Sequence, residues 1–563
     1  MKMTIKPIDM YRSLRNCRMN RNAFNMVLLL FVISILFSLA YAQYPQILWW
    51  YDLNAPSFGS AAVGDIDSDG LLEIVFGTYF NDEHIYALNA EDGSLLWSHS
   101  TGGCNDASPA IADVDGDDSL EVVVPASSPY HVYCFKGTDG TIEWDVSTGY
   151  PNCIDSPPAV ADVDNDGRLE VVLGTWYGHV FALNGEDGSL SWHVNVGTNS
   201  YIQSGPNILD LDDDGDFDIF VAQWSGDYRV YALDGENGST IWYSDASQDH
   251  MYHGGSFADI DADGRPEIVI GSYDNHVYAF NDDCTLQWSV VTPFYVGAPT
   301  SIADLDNDKH LEIVFATYNQ LRVISHAGSP LLWSCTTGGN IFRGAAIADV
   351  DGDDILDVVF GSDDGILRVL RGSDGQVVWT IDLQNHYGQT FEMDHAPVIA
   401  DFDGDGKLDI FIIGGYGTSS QPQNNHGRAY ALLAGDGMGS GWPMFRHDLR
   451  HSACFHGPWT GVEEVHDTVG LAPPTIAVSS EPNPFTVSTR LVVTGSLNKS
   501  FNCSIYDAAG CLVRSLPMLL RGGHGILTWD GTDDLGRHLP VGVYICRIGH
   551  DPLSATCKLI LIE

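Results

Sequence analysis

Eight times along this chain an aspartate opens the pattern D-x-D-x-D-x-x-x-[DE], at intervals of 45 to 52 residues. The quartets are Asp65, Asp67, Asp69 and Glu73; Asp113, Asp115, Asp117 and Glu121; Asp162, Asp164, Asp166 and Glu170; and Asp210, Asp212, Asp214 and Asp218. They continue with Asp259, Asp261, Asp263 and Glu267; Asp304, Asp306, Asp308 and Glu312; Asp349, Asp351, Asp353 and Asp357; and Asp401, Asp403, Asp405 and Asp409. These loops hold 32 of the 75 acidic residues. Carboxylates this crowded repel one another unless a cation sits between them. Calcium takes about six to eight oxygen ligands from carboxylates, backbone carbonyls and water, so the expected cofactor is Ca2+, about one per loop. In the first copy the alternating aspartates turn inward, Gly70 permits the bend, Leu71 offers its carbonyl and Glu73 closes the cage. Three copies have Asp118, Lys309 or Asp354 in the glycine position and are expected to carry strain. An EF-hand is excluded, because the twelfth position of the first loop is Phe76, inside the strand-like run Ile74–Phe76.

The elements that position these loops follow from the flanking runs. In the first repeat Ser60–Val63 leads into the loop and Glu73–Gly77 leaves it. Ile85–Leu88 comes next, then a turn at Glu91–Gly93, then Leu95–Ser98. Four short strands per repeat of forty-odd residues are the pattern of a propeller blade. A tryptophan marks each fourth strand, at Trp97, Trp144, Trp192, Trp242, Trp288, Trp333 and Trp379, where it is expected to pack blades together. Trp49 precedes Asp65 as the others precede their next loop. The segment Ile47–Trp50 should therefore serve as the fourth strand of the last blade, which otherwise ends in the atypical Gly441–Phe445. The expected fold is all-β: an eight-bladed β-propeller, with seven blades as the alternative, followed by a small Ig-like β-sandwich.

With these motifs in view, loops such as Asp65–Gly70 between strands resemble the FG-GAP repeats of integrin α-chain propellers and their bacterial relatives. The segments IYALNAEDGSLLW and VFALNGEDGSLSW resemble the repeats of quinoprotein-type propellers. The likeness covers about residues 47–452 and implies the fold and calcium. One propeller scaffold hosts many activities.

Residues 1–42 read as a secretory signal peptide: Lys2, Lys6, Arg12, Arg15, Arg18 and Arg21, an apolar run from Met26 to Ala40, and the cleavage motif Ala40-Tyr41-Ala42. Its removal leaves 20 basic against 74 acidic residues, a net charge of −54. Such a surface repels nucleic acid and anionic lipid. No further stretch is long and apolar enough to span a bilayer. A secreted or outer-surface protein with a glycan or protein partner is the expectation. Ten cysteines remain after Cys17 is lost. Cys104 and Cys153, each nine residues before a loop aspartate, could meet on one face, and pairing is left open.

The propeller is expected to occupy residues 43–452 and a linker 453–473. Residues 474–563 alternate as short strands with Gly and Asp turns, the pattern of a β-sandwich. Their NPF, IYDAAG, WDGTDDLGR and GVY motifs resemble type IX secretion sorting domains and the Ig-like domain of flagellar hook-capping proteins. That resemblance implies an export machinery as partner.

On the side of the disc away from the acidic loops, the connections are aromatic and polar. The candidate ligand residues there are Tyr79, Trp176, Tyr177, Trp224, Tyr252, His253, Tyr273, Tyr318, Arg343 and His395, a composition suited to sugar stacking or a protein contact. Three function classes compete. The first is a non-catalytic binding or adhesion module. The second is a calcium-dependent polysaccharide lyase using a histidine base; only Lys136, Lys309 and Lys407 supply lysine cations in residues 43–452. The third is a quinoprotein-like dehydrogenase, although the chain has no adjacent cysteine pair. No catalytic residue can be assigned, and the binding module is favoured.

Overall fold

The computed structural model describes residues 44–444, apart from 129, 150–152, 198–199, 212–215 and 438–439, together with strand segments between 476 and 562. The signal-peptide and linker assignments lie outside the described residues.

Residues 46–442 form eight antiparallel sheets, seven of four strands and one of five, each built on the four-stranded unit expected from one repeat. In the first blade Ala62–Gly64, Glu73–Gly77, His84–Asn89 and Leu95–Ser100 pair in chain order. The first strands are short and almost wholly buried, and they contact one another from blade to blade around the axis. The fourth strands are half exposed, so they form the rim. The acidic loops join first to second strands and lie on one side of the disc. The second-to-third connections and the blade-to-blade crossings lie on the other.

Closure is as the tryptophan spacing implies. Gln46–Leu53 pairs with His426–Gly435 as the fourth strand of the blade built by Val398–Ala400 and Leu408–Tyr416. Pairing this N-terminal strand with the last repeat in one sheet closes the ring of blades.

The tryptophans hold neighbouring blades together by a repeated device. Trp97 Nε1 donates to the Gly137 carbonyl of the next blade at 2.6 Å, Trp144 to Gly185 at 2.7 Å, and Trp192 to Gly235 at 2.7 Å. Trp49 donates to Ala90 at 2.7 Å and so ties the last blade to the first. Six of the rings, those of Trp49, Trp97, Trp144, Trp192, Trp288 and Trp333, lie on the glycine of the next blade's outer hairpin. A Cβ on Gly140 would sit 2.6 Å from Trp97, and that glycine has a φ of +68°. Only glycine supplies both the left-handed backbone and the space. The junction between the fourth and fifth blades departs from this. Its hairpin has Cys284 in the glycine position at φ 72°, and the Trp242 indole nitrogen there has no hydrogen-bond partner.

One expectation is corrected. Gly441–Phe445 was expected to end the eighth blade. Instead Ser440–Trp442 adds a fifth strand to the inner edge of the seventh, pairing with Ala346–Ala348. The eighth blade already has its fourth strand from the N-terminal segment, so the chain is free to turn into the central channel. It enters from the acidic-loop side, the Pro443 carbonyl accepts from Ile399 N at 3.0 Å, and Met444 is buried in the core of blades eight and one.

The strands after residue 475 form a three-stranded and a four-stranded antiparallel sheet. Trp529 is buried there, with its ring 5.3 Å from Tyr544.

Candidate functional site: acidic loops and the opposite face

The acidic loops share one hydrogen-bond scheme. The last acid of each turns one carboxylate oxygen back to the backbone N–H of the residue after the first aspartate. Glu73 accepts from Ile66 at 2.9 Å, Glu121 from Val114 at 3.0 Å, Glu170 from Val163 at 3.0 Å and Asp218 from Leu211 at 2.9 Å. Glu267, Glu312, Asp357 and Asp409 do the same toward Ile260, Leu305, Val350 and Phe402. The first aspartate accepts from the sixth residue, as Asp65 does from Gly70 at 3.1 Å and Asp304 from Lys309 at 3.0 Å.

These bonds use one oxygen of each carboxylate and leave others unmatched. Asp65 Oδ1, Asp162 Oδ1 and Asp409 Oδ1 are buried without a hydrogen-bond partner. Carboxylate oxygens of Asp259, Asp261, Asp263 and Glu267 come within 4.8 Å of one another, as do those of Asp65, Asp67 and Glu73, and of Asp113, Asp115 and Glu121. Unpaired, converging, anionic oxygens are the donor set a hard cation takes, so these residues fit calcium. Without an ion, burial favours the protonated form of the closing glutamates. Burial, with the neighbouring aspartates adding to it, pushes Glu73, Glu121, Glu267 and Glu312 up to about 8, and Glu170 up to about 7.

The loop backbone carries the expected strain and more. Asp118, Lys309 and Asp354 adopt φ values of 70°, 73° and 64° where their counterparts have glycine. The fourth loop position is left-handed as well, with Ser68, Asn165, Ala262 and Asn307 at 62°, 56°, 62° and 62°. Asn tolerates this conformation and alanine does not.

On the opposite face the ten candidate residues divide. Tyr177 and Tyr318 are exposed, while Tyr79, Trp176, Trp224, Tyr252 and Tyr273 are half-buried. His253, Arg343 and His395 are buried. Trp176, Tyr201 and Trp224 stack in parallel, with centroids 4.6 and 5.5 Å apart, so much of their ring faces is spent on each other. The series continues through Tyr252, 6.2 Å from Trp224, and separately through Tyr273, Tyr295 and Tyr318 at 4.6 and 6.0 Å. Together they make an aromatic arc over blades three to six. Tyr79 packs apart from it, edge-on to Phe58 at 4.6 Å. His395 is pushed down to about 3 by burial, so it stays neutral and is too weak a base for proton abstraction.

Sequence reasoning missed the carboxylates around the channel on this side. Asp106, Asp155 and Asp394 stand seven residues before the first loop aspartate of blades two, three and eight, a register the repeat itself could have flagged. Asp155 is satisfied, accepting from Gln203 at 3.0 Å and from the Ser127 hydroxyl. Asp106 Oδ1 has no partner, and its carboxyl is pushed up to about 8 by burial and by Asp155, with Arg343 pulling the other way. Asp363 and Asp394 hydrogen-bond to one another, and burial raises both. Cys104 and Cys153 reach the same neighbourhood from adjacent blades and are free thiols. Among the described residues no helix is long and apolar enough to cross a membrane.

Comparison with known proteins agrees with this architecture. Residues 210–270, 304–360 and 349–412 match the family profile of FG-GAP-like repeats, and residues 81–213 match that of the outer membrane protein assembly factor BamB. A search of curated proteins found no significant match. Among solved structures the V. cholerae biofilm matrix protein Bap1 is similar at 16% identity and a TM-score of 0.53, over 69% of this chain and 91% of that one. The quinohemoprotein alcohol dehydrogenase ADHIIG from Pseudomonas putida HK5 is similar at 12% identity and a TM-score of 0.51, over 70% of this chain and 77% of that one. The Comamonas testosteroni quinohemoprotein alcohol dehydrogenase gives the same values. At these identities the likeness concerns the fold: the chain carries FG-GAP-like repeats on a BamB-like, eight-bladed β-propeller.

Proposed function

We propose that this protein is an exported, calcium-stabilised propeller that acts as a non-catalytic binding or adhesion module for an extracellular glycan or protein. The acidic loops serve as structural rivets on one side of the disc, and the other side meets the ligand. The observation that carries the reading is the aromatic arc of blades three to six, where Tyr177, Phe294 and Tyr318 are 44%, 51% and 47% exposed beside their packed neighbours. Exposed flat rings clustered on one face suit sugar stacking or a protein hot spot. The fold shared with a biofilm matrix protein is in keeping with it. The signal-like N-terminus and the sorting-type C-terminal segment fit export to the cell exterior. The strongly acidic surface argues against nucleic acid.

The full chain, calcium-loaded, is tested for retention on a panel of immobilised neutral and uronic-acid polysaccharides. Absorbance of newly formed unsaturated ends is followed in parallel. Retention without new absorbance, weakened by Tyr318→Ala and Tyr177→Ala, is the expected result. A calcium-dependent rise in absorbance replaces this reading with a lyase. Failure on every polysaccharide leaves a protein ligand.

A further inference from the structure

Two segments break the regularity of the ring, and they meet. The crossing from blade seven to blade eight, residues 383–397, is the longest of the crossings and carries a short α-helix, Leu383–Tyr387. The connection between the second and third strands of blade eight, residues 417–425, is nine residues long where the other blades use two to seven. Tyr387 of the helix reaches the hairpin that this connection closes. Its hydroxyl donates to the Gly427 carbonyl at 3.4 Å, and its ring lies 5.6 Å from that of His426. Insertions into a repeat scaffold often mark a binding face.

Beside them the N-terminal strand presents Trp50. Gln46–Leu53 alternates, with Trp49 and Leu53 turned into the core and Trp50 and Asp52 turned out. Four other blades have Ser98, Ser289, Ser334 or Thr380 in the position that follows the packing tryptophan. Core packing therefore does not account for an indole that is 51% exposed. The Arg428 guanidinium carbon lies 5.4 Å from the Trp50 ring centroid and 4.7 Å from that of Tyr387. Arg428 Nε donates to Asp52 Oδ1 at 2.6 Å, and Nη1 donates to the Tyr430 hydroxyl at 3.4 Å. That leaves the Tyr430 proton for Nδ1 of His386, at 2.8 Å, and the imidazole stands edge-on to Trp50 at 5.6 Å. Arg428 Nη2 has no hydrogen-bond partner among the described residues. The Asp52 side chain is 64% exposed and uses only Oδ1. The ion pair thus fixes both groups and leaves a donor and an acceptor unspent beside an exposed aromatic ring.

This arrangement selects by charge. A cation drawn to the indole would meet Arg428 on the same ring. An anion drawn to Arg428 would meet Asp52 and the acidic surface around it. An uncharged ligand with a flat apolar face and hydroxyls along its edge meets neither penalty. Its C–H face lies on the indole, one oxygen accepts from Arg428 Nη2, and one O–H donates to Asp52 Oδ2. Stacking of this kind needs an open ring, not a cavity.

We propose that Trp50, with Arg428 and Asp52, is a second glycan platform on the rim of blade eight, taking one uncharged pyranose ring. This rests on the glycan form of the function proposed above and uses none of the residues of the aromatic arc. In a closed ring of eight, blade eight stands across the axis from blade four, so the arc and this platform lie on opposite sides of the disc. One molecule then holds two separate glycan segments.

The test uses the full chain, calcium-loaded, with 5-fluorotryptophan in place of tryptophan and the methyl glycosides of glucose, galactose and mannose as probes. The fluorine resonance lost in Trp50→Phe is that of Trp50, and the one lost in Trp224→Phe reports on the arc. At least one hexoside is expected to shift the Trp50 resonance with a Kd on the order of 1–10 mM. Asp52→Asn is expected to weaken that binding about threefold or more. Tyr177→Ala and Tyr318→Ala together are expected to leave it unchanged. A Trp50 resonance that no hexoside moves overturns the proposal; if the Trp224 resonance moves, the arc stands alone, and if neither moves, the glycan reading falls as well. Movement of Trp50 without Trp224 upholds the platform and removes the role of the arc. A Trp50 shift that is insensitive to Asp52→Asn, or equally strong with the anionic methyl glucuronide, overturns the proposal too.

Discussion

Calcium binding to the loops should release protons, and the structure gives their number. The closing acids of seven loops have values between about 7 and about 8 without an ion: Glu73, Glu121, Glu170, Glu267, Glu312, Asp357 and Asp409. All are raised first by burial. An ion in the cage requires each to ionise. At pH 6 these groups are almost fully protonated, so saturation should expel roughly seven protons per molecule, falling to roughly one or fewer at pH 9. In the same range the affinity of each site should rise about tenfold per pH unit until the pH passes the acid's own value. The stability consequence has a definite sign. A carboxyl whose folded value is raised above its unfolded value of about 4 favours the metal-free fold at acid pH. That contribution is lost as pH climbs through 7 to 8. Metal-free protein should therefore melt at falling temperature from pH 5 to pH 8, while the calcium-loaded protein should not. Calorimetric titration at pH 6 in two buffers of different ionisation enthalpy counts the protons. A buffer-independent heat, or a metal-free melting temperature that rises with pH, would refute closure of the cage by the buried acid.

Other substitutions test the packing. Cys284→Gly should raise stability by about 1 kcal/mol, since it removes a left-handed non-glycine residue and restores the flat seat that tryptophan has at other junctions; a lower melting temperature would count against the seat. Trp144→Phe should cost roughly 1–3 kcal/mol by leaving the buried Gly185 carbonyl unmatched, and Trp242→Phe distinctly less, because that indole N–H has no partner; equal losses by chemical denaturation would show that ring packing alone matters. Lys309→Gly should stabilise the metal-free protein by about 1 kcal/mol through relief of its φ of 73°, read as a shift in the denaturation midpoint.

Much of the ring was legible because its information is local and repeated. A tryptophan sixteen residues before Asp65 is enough to assign the N-terminal strand to the last blade, since a strand with no blade must pair with a blade lacking one. The acid quartets identify their own loops, because the same four spacings recur in every repeat. Ser440–Trp442 escaped because its partner, the edge of Ala346–Ala348, becomes available only when all eight first strands surround a channel. The left-handed fourth loop position escaped because it holds serine, asparagine, alanine or glycine without a common side chain. Backbone conformation unifies those residues, not residue type.

The mouth of the channel was illegible for the opposite reason, and that reason bears on where specificity resides. A repeat search rewards sameness, and sameness in this chain marks scaffold: acidic loops, tryptophan seats, first strands. Seven residues before each loop the repeats disagree, with Phe58, Asp106, Asp155, Gln203, Tyr252, Gly297, Phe342 and Asp394 in the same register. That register opens the crossing into each blade, where eight chains converge on the axis. The crossing that carries Leu383–Tyr387 and the connection after Tyr416 depart from the repeat further still, and they meet beside Trp50. Propellers that share this scaffold can thus differ in ligand with little change in fold. The residues to vary first are therefore those at which the eight repeats are least alike.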